Sequence, residues 1–190
     1  ATLDAAPVAK LMGDAPVITS SGKSYDVCPY YLSKPWKFNK TFKNDFIQAI
    51  SGLIIKAFEE NEGSILAFLP GVREIKQVQT FLKAKLANDL DIYPLYGAMS
   101  FDEQQKAISP SCRRKLILAT SIAETSLTIK DIRIVIDSGL TRRSRFDPSS
   151  GMSRLITERV TKAEATQRMG RAGRTNTGVC YKMWTKGEEG

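Results

Sequence analysis

The chain has 190 residues, 42% of them hydrophobic and 25% charged, and a formal net charge of +8; this is the composition of one ordinary globular domain with a core of its own. It contains no histidine, which excludes His-based triads, His-ligated metals and histidine acid–base chemistry. Three cysteines without CxxC spacing argue against a zinc site and suit a reducing cytoplasm, and neither a membrane-length apolar run nor a signal-peptide pattern is present.

In chain order, Asp4 is placed to cap a short helix that runs to Leu11 and is closed by Gly13. The stretch 17-VITSSGKSYDV-27 contains Gly22-Lys23-Ser24, the last three letters of a phosphate-binding loop. That loop needs a glycine five positions before its second glycine, a strand before it and a helix after it. Position 17 is Val, and the residues from Tyr25 to Tyr30 are aromatic or β-branched and broken by Pro29, which reads as a strand. The expectation is a β-hairpin turning at Ser20-Ser21-Gly22, with nucleotide chemistry elsewhere.

Residues 33-SKPWKFNKTFKN-44 read as an irregular crossing. Asn44 is then expected to cap a helix in which Phe46, Ile47, Ile50, Leu53, Ile54, Ala57 and Phe58 recur at three- and four-residue spacing. Gly63 closes it, and 64-SILAFL-69 is a strand covered on both faces. Pro70-Gly71 turns into a second amphipathic helix carrying Ile75, Val78, Phe81, Leu82 and Leu86. Strand 92-IYPLY-96 follows, then a short segment from Phe101 to Ile108 that Pro110 stops. Core strands are read at 115-KLILAT-120 and 132-IRIVID-137, a hairpin around Ser149-Ser150-Gly151, a helix from Thr161, and a last strand at 179-VCYKMW-184. Strands alternating with helices predict an α/β sandwich with a mostly parallel sheet and helices on both faces, where ligands collect at the carboxyl ends of the strands.

Charge is concentrated late in the chain. Between Thr141 and Arg174 nine basic residues face three acids, and eight of the nine are arginine, whose planar fork suits phosphate. Within 161-TKAEATQRMGRAGR-174, Thr161 and Glu164 form a capping box that starts a helix. Gln167, Arg171 and Arg174 would share one face if that helix persisted. Gly170 and Gly173 are costly inside a helix, and make sense if it frays or if another backbone or a ligand comes close.

The run 167-QRMGRAGR-174 resembles motif VI of superfamily 2 helicases, QRxGRxGR. In the family's order, 65-ILAFLPGVREI-75 resembles motif IV and 118-LATSIAETSLTI-129 resembles motif V of the DEAH-box RNA helicases, followed by 134-IVIDSG-139. The hairpin beginning at Arg145-Phe146-Asp147-Pro148 stands where those proteins insert one between motifs V and VI. The resemblance covers nearly the whole chain but only one of the family's two RecA-like lobes. It implies that residues 1–190 are a second RecA-like domain, a three-layer sandwich with an inserted β-hairpin, and that Ala1-Thr2 is the tail of the motif ending the first lobe.

The resemblance also implies roles. ATP with magnesium would sit between the lobes, the metal ligands and phosphate loop coming mainly from the first, so this piece alone should not hydrolyse ATP. Arg171 and Arg174 would be arginine fingers on the phosphates and Gln167 would hold the attacking water; Arg168, off that face, is left to pair with a carboxylate. Ser126 would sense the γ-phosphate and Thr128 touch the ribose. Lys130-Asp131 replaces the family's usual acid-then-glycine, leaving Asp131 as the acidic candidate for the ribose. Ile108 stands where many relatives cover the adenine with an aromatic. Gly97 and Ala98 (a hook loop), Thr120 and Ser121 of motif V, and Arg145 and Phe146 (a hook turn) would hold the backbone of single-stranded nucleic acid, RNA by the family's habit. Glu124 and Thr125 would couple the two ends of motif V. Expected partners are that strand and the first lobe of the same chain, with no membrane. Two rival readings are a non-enzymatic basic RNA-binding module and a self-sufficient NTPase using Gly22-Lys23-Ser24.

Overall fold

The apolar runs read from the sequence become the strands of one parallel sheet. The computed structural model describes residues 5–18, 25–36, 43–86, 88–124, 127, 129–149 and 151–189, with the side chains of residues 43 and 44 outside the description. The expected cap Asp4, the Ala1-Thr2 start, the Ser20–Gly22 turn, Lys23 and Ser24 lie outside the described residues. After α1 (Ala5–Leu11), the chain forms β1 (Val27–Tyr31), α2 (Lys43–Glu60), β2 (Ser64–Phe68) and α3 (Val72–Leu86). Next come β3 (Asp91–Leu95), α4 (Phe101–Ile108), β4 (Lys115–Ala119), a 3-10 turn Ser121–Glu124, and β5 (Ile132–Asp137). The hairpin strands β6 (Leu140–Asp147) and β7 (Met152–Arg159), then α5 (Lys162–Met169) and β8 (Gly178–Lys182), complete the order before a final 3-10 turn, Lys186–Glu188.

The sheet runs β1-β8-β5-β2-β4-β3 and all of its pairs are parallel, while β6 and β7 form a separate antiparallel hairpin. Because successive strand residues point to opposite faces, each strand feeds two cores. Ile65, Ala67, Leu116 and Leu118 pack with Ile50 and Ile54 of α2 and with Ile75, Val78 and Leu82 of α3. Leu66, Phe68, Ile117 and Ala119 face the other way, toward Ala107 of α4, Ala123, and Ala172 just past α5. Ile132 and Ile134 should share a face by parity, yet they belong to different cores. The register shift between Ser64 and Ile65, where Ser64 pairs with Ile132 and Ile65 with Ile134, accounts for it. The α/β sandwich with helices on both faces, and its inserted hairpin, is the fold expected.

Two local expectations change. Residues 15–18 form no strand, and β1 takes a parallel neighbour, β8, from the far end of the chain instead of an antiparallel one across Ser20–Gly22. The aromatic content explains the choice: Tyr30 stacks on Tyr181 at 4.9 Å, and as an edge strand β1 tolerates Pro29, which has no N–H to donate. α2 begins at Lys43, one residue ahead of the expected cap Asn44.

Two cations, Arg114 half-buried and Lys115 buried, tie the loops to this frame. Arg114 donates to the carbonyls of Gly63 (2.6 Å), Phe58 (3.1 Å) and Asn61 (2.5 Å), closing the carboxyl end of α2 that Gly63 terminates at φ +97°. Lys115 Nζ does the same for α4, donating to Lys106 O (3.2 Å), Ala107 O (3.3 Å) and Ser109 O. Ile54 is 0% exposed between α3 and the sheet. Replacing it with Ala should cost about 2–5 kcal/mol of unfolding free energy, read in urea as a lower midpoint at unchanged slope.

Candidate nucleotide and nucleic-acid site

In a parallel sheet all strands begin at one edge and end at the other, so the topology sorts the candidate residues by edge. Gly97 and Ala98 follow β3, and Thr120 and Ser121 follow β4; Thr120 N donates to Leu95 O at 3.1 Å, holding the two loops together at the carboxyl edge. Ile108 ends α4 beside Lys115, the first residue of β4, and Asp131 immediately precedes β5, so both lie at the amino edge. The turn after α5 belongs there too. Tyr25 N donates to Gly173 O at 2.9 Å, and a Cβ on Gly173 would strike the Tyr25 carbonyl, so the glycine is required by a close backbone approach. Asp131 adopts φ +64°, a left-handed conformation that aspartate tolerates better than most residues. Ile108, Asp131 and the arginine turn thus lie at the amino edge, opposite the carboxyl edge where ligands of such sheets usually collect. Thr125, Ser126 and Thr128 lie outside the described residues.

Helix α5 spans the two edges. Its capping box forms as expected: Thr161 N donates to Glu164 Oε2 at 2.7 Å, and Glu164 N donates to Thr161 Oγ1 at 3.3 Å. It stops at Met169, so Arg171 and Arg174 stand on the following turn and the single helical face with Gln167 is not kept. Gln167 is half-buried near the end of the helix.

Arg168 is fully buried at 0% exposure. Its Nε donates to Glu124 Oε1 at 2.7 Å, and its Nη1 donates to Asp137 Oδ1 at 2.8 Å and to Leu140 O at 3.2 Å, while the guanidinium lies 4.9 Å from the centre of the Phe68 ring. Burial disfavours its charge, but Asp137 and Glu124 outweigh that and raise its pKa. Burial raises the Glu124 carboxyl, against the pull of Arg168. The pairing with a carboxylate matches the expectation for Arg168. Asp137, the second partner, had no role in the sequence reading; the signal was an aspartate ending the otherwise apolar run 132-IRIVID-137.

Arg171 is 4% exposed. It donates from Nε to Glu124 O at 2.9 Å and from Nη1 to Leu127 O at 2.7 Å, clasping the segment after β4. Burial, and then the charge of Arg174, lower its pKa to about 10. Arg174 is exposed and ion-pairs with no described residue. Arg174 thus lies close enough for its charge to disfavour protonation of Arg171, a repulsion that an anion between them would relieve.

The arginine excess of residues 141–174 proves largely internal. Arg142 pairs with Glu74 at 3.0 Å, Arg143 with Glu158 (3.1 Å) and Glu164 (2.5 Å), Arg145 with Glu158 (3.0 Å), Arg154 with Asp147 (4.0 Å), and Arg159 with Glu188 (2.9 Å). The local shortage of acids misled, because Glu74, Glu124, Asp137 and Glu188 arrive from distant elements. Arg145 is therefore engaged within the hairpin, while Phe146 stands 65% exposed near its tip. Among the described residues no group of three or more His, Cys, Asp or Glu side chains is placed to hold a metal ion, and no helix is long and apolar enough to cross a membrane.

Residues 45–176 match the family model of the helicase conserved C-terminal domain. The chain belongs to that family. It is 43% identical over 188 residues to the ATP-dependent RNA helicase HrpB of Escherichia coli, covering 98% of this chain and 22% of that protein. It is 34% identical over 186 residues to E. coli HrpA, covering 98% of this chain and 14% of that protein. A crystal structure of E. coli HrpB, a DExH-box NTPase, superposes with a TM-score of 0.83 at 42% identity, covering 100% of this chain and 23% of that one. The chain therefore spans about a fifth of the HrpB length.

Replacing Arg168 with Leu leaves two buried carboxylates without their cation, and should cost about 3–5 kcal/mol, seen as a lower urea midpoint of the 190-residue chain.

Proposed function

We propose that this chain is the second RecA-like lobe, residues 1–190, of an ATP-dependent RNA helicase. In this reading the amino edge of the sheet meets ATP and magnesium held mainly by a first lobe of the same protein. The carboxyl edge, with Gly97, Ala98, Thr120 and Ser121, holds the backbone of single-stranded RNA. Such contacts position a strand without reading its sequence.

The observation that carries the reading is the pair of guanidiniums on the Gly170–Gly173 turn. Arg174 is free of carboxylates among the described residues, and Arg171 has its charge weakened by burial and by its neighbour. This is the chemistry of a triphosphate site, in which a supplied arginine stabilises charge on the transferring phosphoryl group. Arg171 would give up its hold on the carbonyls of Glu124 and Leu127, or extend its remaining nitrogen, to reach the phosphate. Ser126, Thr128, Ile108 and Asp131 complete the nucleotide-facing set, and Gln167 the water-positioning role. HrpB and HrpA, both named ATP-dependent RNA helicases, support the assignment of RNA and ATP.

The test is Arg174→Ala in the intact protein. RNA-stimulated ATP hydrolysis should fall by roughly 10³–10⁵ in kcat, while RNA binding measured by fluorescence anisotropy changes little. Turnover at the parental rate removes the arginine-finger assignment.

A further inference from the structure

The two edges of the sheet are joined by a short chain of contacts through the interior. Asp137 ends β5 and is held rigidly: its Oδ1 accepts from Gly139 N at 2.9 Å, and its carbonyl accepts from Met183 N at 2.9 Å. Against it lies Arg168 at 2.8 Å, then Glu124 at 2.7 Å, and the Glu124 carbonyl in turn accepts from Arg171 at 2.9 Å. Glu124 closes the 3-10 turn that Ser121 opens at the carboxyl edge. One continuous set of hydrogen bonds therefore joins Arg171, the turn that presents Ser121, Arg168 and Asp137.

We propose that Asp137 and Arg168 are positioning residues that keep the Ser121–Glu124 turn in register with the turn carrying Arg171 and Arg174, so that ligand occupancy at the two edges is linked. The proposal rests on the functional reading above. Both side chains are 0% exposed, so neither reaches a ligand and both act through Glu124 and Arg171. The cluster holds two carboxylates against one guanidinium, so neutralising Asp137 leaves Arg168 balanced by Glu124 and still bonded to Leu140 O. The isosteric Asp137→Asn exchange therefore removes one anchor while keeping the shape of the core.

The experiment compares Asp137→Asn and Arg168→Lys with the parent in the intact protein. It measures basal and RNA-stimulated ATP turnover, KM for ATP, and the thermal unfolding midpoint. Lysine keeps the charge of Arg168 but not the fork that spans both carboxylates. The ratio of RNA-stimulated to basal turnover should fall by about 5- to 150-fold, the usual size of a coupling between sites. KM for ATP should move by less than about threefold, as for an interaction outside ground-state binding. A ratio within about twofold of the parent in either variant that is folded at the assay temperature would overturn the proposal. Unfolding of both variants assigns the pair to stability alone and overturns it too. Parental turnover in Arg174→Ala sinks the functional reading instead, whereas an inactive Arg174→Ala beside a normal ratio in Asp137→Asn sinks only this inference.

Discussion

A guanidinium cannot be left in a protein interior without counter-charge, because its desolvation costs several kcal/mol. Arg168 meets that condition with groups from three separate elements: Asp137 from the end of β5, Glu124 from the turn after β4, and the Leu140 carbonyl at the start of the hairpin. The need to satisfy one cation thus fixes the mutual arrangement of four pieces of chain, α5 included. It also explains how α5 can stop one residue later without losing its place. The helix is anchored from within, and the turn beyond it is free to follow the backbone of residues Tyr25 and Gly178.

Much of the sheet was legible because buried parallel strands are apolar on both faces, and 64-SILAFL-69, 115-KLILAT-120 and 132-IRIVID-137 leave little alternative. The capping box at Thr161 and Glu164 fixed the start of α5 to the residue, since its hydrogen bonds depend only on local spacing. The partner of β1 was not legible. A strand followed by a turn-rich segment suggests a hairpin from local chemistry alone, but β1 pairs with residues 151 positions away, as Val27 with Gly178 shows. The same limit applied to the site. The motif order named segments, yet Arg171 clasping Glu124 and Leu127, and Asp137 facing Arg168, depend on strand order rather than on any local pattern.

Net charge was the least reliable guide. Counting along residues 141–174 gave an excess that looked available to a phosphate partner, whereas six of its eight arginines are ion-paired, three of them with acids from α3, from β5 and from the final turn. Several of these pairs are exposed and contribute little to stability, on the order of 0–1 kcal/mol each. Their effect is geometric. Arg142 and Arg143 hold opposite faces of the hairpin base, one to Glu74 of α3 and the other to Glu164 of α5, so the hairpin's angle is tied to the helix that leads to the glycine-rich turn. What survives as free positive charge is small and local.

That residue of charge has a definite place. Burial and Arg174 together make Arg171 easier to deprotonate than an ordinary arginine, with Glu124 pulling only weakly the other way. Like charges are held together on one turn because the backbone there is constrained on every side: Gly173 lies against Tyr25, and Ala172 against Gly178. Such an arrangement places the charge of Arg174 against the buried guanidinium of Arg171, and an external anion would offset that repulsion. Among the described residues no carboxylate ion-pairs with Arg174, and Asp137 and Glu124 are committed to Arg168.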